Sequence, residues 1–536
     1  MRKCDAIVPF LSSHLDDALF RRMVRMKPLP SPIQFSKFFK TMINRKHYSH
    51  VVSLFRQMRT LGIPIDDFIL NNVINSYCLM HRADSGFSVL PIYLKSGIPW
   101  GVVTFTALIR GLFAENKVKD AVELFKKLVR DNICEPNEVM YGTVMNGLSK
   151  RGHTDKALSL LRLMEKGNAK PDIVIYNIVI DGICKDGNLD AAINLLNEMK
   201  LKGVLPNIFT YNSLMDGFCK FGWWEKVKTL FCEMVNLTIY PDVHTFNILI
   251  NGLCKVGKVE DAEEVMRHMT DKGVHPDIIT YNAIMDGYCL RGQLDRARRI
   301  FDSLIDKGIE PNIISYNILI NGYRKKKELV EAMQLFGEIS QKGPKPNIVT
   351  YNTILQGLFE VGRIGDANQL YAEMLSAGPK PDRCTHLILL HGYFKYRLVE
   401  EAMSLFNKLE RKREDTSIAH YNVVISGLCK DGKLNDAHAV FKKLSFIGLL
   451  PDVRTYTVMI NGFCSEGMFD EAKDVLRKME DNSWFLRWNK ISEMASFMEE
   501  IAERGFSFDA TTTGLLINVA RENPSILDMI PELSSV

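Results

Sequence analysis

The hydrophobic positions of the chain repeat with a period of 35 residues along its central part. Between Val243 and Asp277, apolar residues are dense up to Lys255 and return at helical spacing after Gly257. This pattern predicts a mostly apolar first helix, a turn at the glycine and a second, amphipathic helix. A glycine and a proline then end the second helix before the next unit begins.

Three unrelated residue types keep this phase through six consecutive units, in residues 173–382. An aromatic–asparagine pair, a glycine and a proline each recur every 35 residues, as in Tyr176-Asn177, Gly182 and Pro206. Fixed periods of about 20–50 residues are typical of solenoids. Because one hairpin cannot bury its apolar faces alone, the sequence predicts stacked helix–turn–helix units.

The same pattern extends to both sides of these six units. One extra residue lies in the unit 102–137, the unit 383–417 is irregular, and the phase breaks after residue 480. The predicted organisation is a short amino-terminal segment similar to the remnant of a transit sequence at 1–14, a half-repeat cap at 15–31, an array of about 13 repeats at 32–480, a truncated repeat at 481–509, and a cap helix and tail at 510–536.

Composition narrows the possible functions only modestly. The net charge of +5 permits an anionic partner but does not require one. No run approaches the ~20 apolar residues of a membrane span. Seven of the eleven cysteines occupy the twelfth position of a unit, where stacked hairpins would hold them about 10 Å apart. That separation excludes disulfides, so we expect small buried thiols in a reducing compartment.

Two segments imitate a phosphate-binding loop, one ending at Lys258 and the other at Lys433. The residues that follow are Val259 and Leu434 rather than Ser or Thr, and no strand is predicted before either segment, so both are assigned to the turn between helices. The His and Cys residues lack the spacing of zinc deaminases and zinc proteases. The sequence therefore predicts no catalytic residue, no metal site and no cofactor.

The recurring Tyr-Asn, the Gly-x-Cys-Lys that closes many first helices, and the Pro-Asp or Pro-Asn that ends a unit resemble pentatricopeptide repeats. With the Arg-Gly-Phe-Ser-Phe-Asp-Ala-Thr-Thr-Thr segment, they resemble the restorer-of-fertility-like branch of plant organellar proteins. The resemblance implies an all-α, right-handed superhelical α-solenoid that binds single-stranded RNA, one base per repeat, mostly in mitochondria.

By the same resemblance, the chain would act as a non-catalytic monomer on the processing, stability or translation of an organellar transcript, with a nuclease or other protein recruited in some cases. The alternative is a peptide-binding helical scaffold of the tetratricopeptide type. That family has a 34-residue period, which argues against it.

In the pentatricopeptide family, the fifth and last residues of each unit select the base. The pairs that imply uracil are Asn212 with Asp242, Asn247 with Asp277, Asn352 with Asp382, and Asn422 with Asp452. The pairs that imply cytosine or uracil are Asn177 with Asn207, Asn282 with Asn312, and Asn317 with Asn347. Adenine and guanine are implied by Thr106 with Asn137 and Ser36 with Asp66, respectively. No pairing fits Asn71 with Gly101, Gly142 with Asp172, or Leu387 with Ser417. The implied target is 5′-G-?-A-?-Y-U-U-Y-Y-U-?-U-3′, where Y is a pyrimidine.

Two further sets of residues complete the predicted interface. In the family the second residue of a unit wedges between bases, and the suitable side chains are Val103, Val139, Val174, Phe209, Ile279, Ile314 and Val349. His244, Ala419 and Arg454 depart from that apolar pattern. The lysines that close first helices are Lys150, Lys185, Lys220, Lys255, Lys325, Lys395 and Lys430. They would either complement the helix carboxyl end or follow the RNA phosphates, and the two roles are compatible.

Overall fold

The computed structural model describes residues 16–167, 169–411 and 416–481. The predicted segment 1–14, the cap helix and tail at 510–536, and all of the truncated repeat beyond Asp481 lie outside these residues. Within the described ranges the secondary structure is helical and contains no strand.

Two sets of helices alternate along the chain after a short helix α1 at residues 16–25. The first helices of the repeats are α2 (Pro32–Asn44), α4 (Asp67–Leu79), α7 (Val102–Ala114), α9 (Glu138–Ser149), α11 (Ile173–Lys185), α13 (Ile208–Lys220), α15 (Val243–Lys255), α17 (Ile278–Leu290), α19 (Ile313–Lys325), α21 (Ile348–Glu360), α23 (Arg383–Lys395), α25 (Ile418–Lys430) and α27 (Val453–Ser465). The second helices are α3 (Tyr48–Thr60), α5 and α6 (Ala83–Phe87 and Leu90–Ser96), α8 (Val118–Arg130), α10 (Thr154–Lys166), α12 (Leu189–Leu201), α14 (Trp224–Asn236), α16 (Val259–Asp271), α18 (Leu294–Asp306), α20 (Leu329–Lys342), α22 (Ile364–Ala377), α24 (Val399–Arg411), α26 (Leu434–Phe446) and α28 (Phe469–Asp481).

The helices pack into two compact units, of which the first ends at Ala283 and the second begins at Ile284. In the first unit, α2, α4, α7, α9, α11, α13 and α15 contact one another in series. In the second unit, α19, α21, α23, α25 and α27 do the same. Most second helices contact the first helix of their own repeat and that of the next. The predicted all-α solenoid of helix–turn–helix repeats is therefore confirmed.

The close approach of successive first helices depends on the glycine at the tenth position. A Cβ atom added to Gly217 would lie 2.8 Å from the Cβ of Cys184, and one added to Gly252 would lie 2.8 Å from that of Cys219. Such distances leave no room for a side chain in a close-packed core. The cysteine at the twelfth position of one first helix thus fills the space beside the tenth-position glycine of the next first helix.

The prediction of small buried thiols is confirmed at five of the seven twelfth-position cysteines, which are Cys78, Cys184, Cys219, Cys254 and Cys289. Cys429 and Cys464 are half-buried. Burial raises the pKa of the Cys184 thiol to about 12, so it stays protonated at neutral pH. None of the cysteines in the described ranges forms a disulfide.

Edge-to-face aromatic pairs join the second helix of one repeat to the first helix of the next. The ring centroids of Phe406 and Tyr421 are 5.1 Å apart at 87°, and those of Phe336 and Tyr351 are 5.3 Å apart at 82°. Such pairs add about 0.5–1.5 kcal/mol to the gain from burial. The tyrosine of the recurring Tyr-Asn pair therefore belongs to the core.

Two units depart from the regular hairpin. In the unit 67–101 the second helix is interrupted between α5 and α6, where the sequence predicted one helix. Pro91 explains the break, because it lacks an N–H and fits only the first turn of a new helix. In the unit 102–137 the extra residue is absorbed in the turn after α8, where Asn132 has a φ of 48°.

We expect Gly252→Ala to destabilise the array by about 1–3 kcal/mol, because the new methyl group overlaps Cys219 and Trp224. The matched control is Gly337→Ala in α20, where a Cβ meets no atom within 4 Å. That change should stabilise its helix by about 1 kcal/mol. Urea titration followed by circular dichroism measures both effects, and equal midpoints for the two variants would contradict the packing argument.

Candidate nucleic-acid interface

An asparagine at the fifth position connects the first helices of neighbouring repeats. Its Oδ1 accepts a hydrogen bond from the hydroxyl of the third residue of the next repeat, as Asn247 does from Thr280 at 2.6 Å. We call this row the amide ladder; the other described contacts are Asn71–Thr104 (2.8 Å), Asn177–Thr210 (2.7 Å), Asn212–Thr245 (2.9 Å), Asn317–Thr350 (2.7 Å), Asn352–Thr385 (2.8 Å) and Asn422–Thr455 (2.6 Å).

The same asparagines contact the last residue of their own repeat. The Nδ2 of Asn247 donates to the Oδ1 of Asp277 at 3.1 Å. Equivalent bonds are Asn177–Asn207 (3.3 Å), Asn317–Asn347 (3.3 Å), Asn352–Asp382 (3.2 Å) and Asn422–Asp452 (3.0 Å). The structure thus brings together five of the residue pairs that the resemblance assigns to base selection.

The predicted adenine and guanine pairs are arranged differently. The hydroxyl of Thr106 donates to the Val102 carbonyl of its own helix at 2.7 Å, and the Oγ of Ser36 accepts from Asn72 at 3.0 Å. Asn137 and Asp66 accept from backbone N–H groups of α9 and α4. Thr106 thus bonds within its own helix and Ser36 bonds to the next first helix, while Asn137 and Asp66 bond to the start of the helix that follows them.

The last residue of most repeats also caps the next first helix, a role that our sequence analysis missed. The Oδ1 of Asp277 accepts from the backbone N–H of Thr280 at 3.0 Å, and the Thr280 hydroxyl accepts from the Asp277 N–H at 3.1 Å. This reciprocal arrangement is a capping box. Its signal was present in the sequence as Asp or Asn followed three residues later by Thr or Ser.

Capping also controls the charge of these carboxyl groups. Burial disfavours the charged form of Asp277, but hydrogen bonds from the Thr280 N–H, the Asn247 amide and the Thr280 hydroxyl outweigh it and lower its pKa. The pKa values of Asp242 and Asp382 are lowered in the same way. These side chains are therefore anionic at neutral pH.

Several of the ladder asparagines are almost fully enclosed. Asn212 is only 4% exposed, Asn247 and Asn282 are 7% exposed, and Asn422 is 5% exposed. Asn177, Asn317 and Asn352 are half-buried. In Asn212, Asn247 and Asn422, the hydrogen bond to the next first helix holds the amide in the crevice between two helices.

A row of exposed apolar side chains runs through the second positions of the same helices. The seven predicted wedge residues are 53–67% exposed, from Val349 to Phe209. Ile33 and Phe68 occupy the same position and are 57% and 61% exposed, although our sequence analysis did not include them. The sequence signal that could have identified them is their place at the second position of their units. Apolar side chains kept in solvent at regular intervals indicate a binding surface.

The seven lysines that close first helices are all exposed, but their surroundings differ. Lys185 and Lys220 form ion pairs with Asp181 and Asp216, four residues earlier, at 2.6 Å and 2.5 Å. The ammonium group of Lys395 donates to the Phe359 carbonyl at 3.2 Å, at the carboxyl end of the preceding first helix. For that lysine the helix-end role is therefore present in the structure.

The irregular repeat has no amide at the fifth position. Leu387 lines a pocket of about 500 Å³ together with His391, Lys395 and Lys430. In the next repeat His420 takes the place of the ladder threonine, and its Nδ1 lies 3.1 Å from the Ser417 hydroxyl. Burial lowers the pKa of His420 to about 4, so this histidine is neutral at physiological pH.

Comparison with known sequences and structures identifies the repeat. A sequence profile of the PPR repeat family matches residues 171–220, 206–255, 241–289, 276–325, 311–353, 346–395 and 416–465. Two profiles of the PPR repeat match residues 384–413 and 454–484, and residues 96–129 and 132–165. Together these matches cover more than half of the chain. It belongs to the pentatricopeptide repeat family.

Individual members of the pentatricopeptide repeat family match shorter stretches. A mitochondrial pentatricopeptide repeat-containing protein of Arabidopsis thaliana is 38% identical over 107 residues, which span 20% of this chain and 18% of that protein. A chloroplastic one is 30% identical over 120 residues, or 22% and 17% of the two chains. The crystal structure of maize PPR10 aligns over 96% of this chain and 88% of its own, with 21% identity and a TM-score of 0.42.

The described ranges contain neither a candidate membrane-spanning helix nor a candidate metal cluster. No helix there is both long and apolar enough to cross a membrane. No group of three or more His, Cys, Asp or Glu side chains in those ranges is placed to hold a metal ion.

We expect Asp277→Asn to lower stability at neutral pH but not in acid. A carboxyl whose pKa is lower in the folded chain stabilises the fold above its unfolded pKa of about 3.9, and this contribution is lost as the pH falls through the folded value. The difference in thermal midpoint between wild type and variant should therefore shrink between about pH 6 and pH 2. Asp190→Asn, at an exposed carboxylate of α12, is the control. A pH-independent difference would show that the charge of Asp277 is not involved.

Proposed function

We propose that this chain binds single-stranded RNA selectively, one base per repeat. The observation that carries the proposal is the amide ladder beside the exposed apolar row. Both features recur at fixed positions in most of the first helices. Reading RNA base by base needs a surface for the ring and a hydrogen-bonding group for the edge of the base. The family to which the chain belongs supports the same function.

The ladder explains why pyrimidines are the expected bases. An asparagine amide offers two N–H donors and one carbonyl acceptor. In Asn247 the carbonyl accepts from Thr280 and one N–H donates to Asp277, which leaves one N–H for a ligand. That donor fits O2 or O4 of uracil and O2 or N3 of cytosine.

The last residue then distinguishes between the two pyrimidines. The Oδ1 of Asp277 is engaged, and its second carboxylate oxygen can accept the N3–H of uracil. Asn207 uses its Oδ1 in the same way but retains an N–H, which can donate to an acceptor such as N3 of cytosine. Repeats with Asp are thus expected to prefer uracil, and repeats with Asn to accept cytosine as well.

RNA binding must open this interface slightly. An amide that is 4–7% exposed cannot be reached by a base unless neighbouring side chains move. The exposed second-position residues offer apolar surface between successive bases, which stabilises a base once it has entered. We therefore expect bound RNA to separate neighbouring first helices locally rather than to dock on a rigid groove.

In the cell, we propose that the chain acts as a monomer on the processing, stability or translation of a mitochondrial transcript, with fertility restoration as one such role. It would do so by occupying RNA or by recruiting a nuclease or another protein. Support comes from the named mitochondrial and chloroplastic relatives, which together favour an organelle. Mitochondria are chosen because of the restorer-like sequence features.

The direct test is binding of the purified chain to 5′-G-N-A-N-Y-U-U-Y-Y-U-N-U-3′ at moderate salt. We expect this RNA to bind more tightly than one with adenine at every Y and U. Equal affinity for the two RNAs would contradict base selection. Retention of peptides without any RNA binding would favour the tetratricopeptide-like scaffold instead.

We expect Asn247→Thr to move the preference at the seventh base from uracil toward guanine, as the pairing of Thr with Asp implies. Loss of one hydrogen bond to a base edge costs about 1 kcal/mol, so the relative affinity should change by about fivefold or more. Competition binding with RNAs that differ only at that base measures it. The control base is the sixth, opposite Asn212, where selectivity should stay the same.

We expect Lys255→Gln to weaken RNA binding and to reduce the slope of log affinity against log salt by about 0.7, as for one lost phosphate contact. Lys220→Gln should have a smaller effect, because Asp216 already offsets the Lys220 charge. The residue four positions before Lys255 is the neutral Asn251. If both variants kept the wild-type slope, the lysines would serve only the helix ends.

A further inference from the structure

The identity of the third residue in a repeat is correlated with the identity of the fifth residue in the preceding repeat. After every fifth-position asparagine, from Asn71 to Asn422, the third residue of the next repeat is Thr or, in Ser315, Ser. Where the fifth residue is not asparagine, the third residue carries no hydroxyl. Those four pairs are Ser36 with Ile69, Thr106 with Met140, Gly142 with Ile175, and Leu387 with His420.

The geometry shows what the hydroxyl does. The Oγ of Thr280 lies 2.6 Å from the Oδ1 of Asn247 and 3.0 Å from that of Asp277. A hydroxyl has one proton, and the shorter distance assigns it mainly to Asn247. The same order holds in the repeat of Asn422, where Thr455 is 2.6 Å from the amide and 2.7 Å from Asp452.

Helix capping alone does not account for this hydroxyl. Asp66, Asn137 and Asp172 cap α4, α9 and α11 through the backbone N–H of the third residue. In those helices the third residues are Ile69, Met140 and Ile175, so a cap forms without a hydroxyl there. What these three sites share is that no ladder asparagine precedes them.

We propose that the third-position hydroxyl is a positioning residue for base selection in the preceding repeat, an inference that rests on the proposed function. By donating to Oδ1, it fixes the orientation of the asparagine amide and leaves Nδ2–H as the group that faces the base. Without the hydroxyl, the amide can turn by 180° and offer its carbonyl to amino groups, such as N6 of adenine or N4 of cytosine. The hydroxyl thus makes the amide offer a donor, rather than an acceptor, to the edge of the base.

The irregular repeat allows the proposal to be tested by introducing the asparagine and the hydroxyl where both are absent. Leu387→Asn alone places an amide opposite His420, whereas Leu387→Asn combined with His420→Thr restores the complete arrangement. We expect the double variant to prefer pyrimidine over adenine at the eleventh base by about three- to tenfold, the range of one hydrogen bond. The single variant should show little preference. Equal selectivity of the two variants would overturn the proposal, and His420→Thr alone is the control.

A second experiment removes an existing hydroxyl. Thr280→Val should reduce uracil preference at the seventh base by about three- to tenfold, and Thr280→Ser should retain it, as Ser315 suggests. The matched control is Thr353→Val, because the Thr353 hydroxyl donates to Val349 within its own helix at 2.8 Å. Unchanged selectivity of a folded Thr280→Val protein would overturn the proposal.

An RNA-free measurement separates this inference from the proposed function. In the free protein, the Nδ2 protons of Asn247 should exchange with water faster in Thr280→Val than in wild type or Thr280→Ser. Asparagine-selective labelling, with Asn247→Gln to assign the signal, makes this visible by NMR. Unchanged exchange would overturn the positioning role. Failure of the wild type to bind RNA, with exchange altered as expected, would instead overturn the proposed function.

Discussion

The close contact between successive first helices is the constraint on which the remaining features depend. Glycine at the tenth position and cysteine at the twelfth bring these helices together, as Gly252 and Cys219 do. Only at that separation can a short asparagine side chain reach a hydroxyl on the next helix. A larger residue at the glycine position would therefore disturb both the core and the amide ladder.

Where a repeat ends in Asp or Asn, that residue serves two functions with one carboxyl or amide group. Asp277 stabilises the start of α17 through its Oδ1, and the same group orients Asn247. Capping favours Asp and Asn almost equally at this position. Either residue therefore keeps the cap, with Asp adding the stabilisation of its charge at neutral pH, and under the proposed function the choice between them distinguishes bases. Under the proposed function, the array can in this way vary its base preference without losing its repeats.

The sequence was sufficient for the hairpin fold, because the apolar period and the glycine and proline positions are local features. It also paired Asn247 with Asp277 through the family resemblance, and the structure places them in contact. It did not lead us to predict the break at Pro91, because the unit keeps the 35-residue period although its second helix is interrupted. The enclosure of Asn212 could not be predicted, since it depends on how closely two helices approach, which no single helix determines.

Thr280 was overlooked for a different reason. Within its own repeat it is one polar residue at the start of an amphipathic helix, and its meaning emerges only beside the asparagine of the repeat before it. Under the proposed function, the chemical unit that faces a base therefore extends over two structural repeats: the fifth and last residues of one and the third residue of the next. Suppose that a repeat is redesigned only at its fifth and last residues. An asparagine introduced at the fifth position would then face a third residue of the next repeat that carries no hydroxyl. The pair of Leu387 and His420 shows that both positions differ together in the one regular-length repeat where the amide is replaced by an aliphatic side chain. In the proposed mode of binding, base selectivity is accordingly a property of the junctions between repeats, as the stability of the array is.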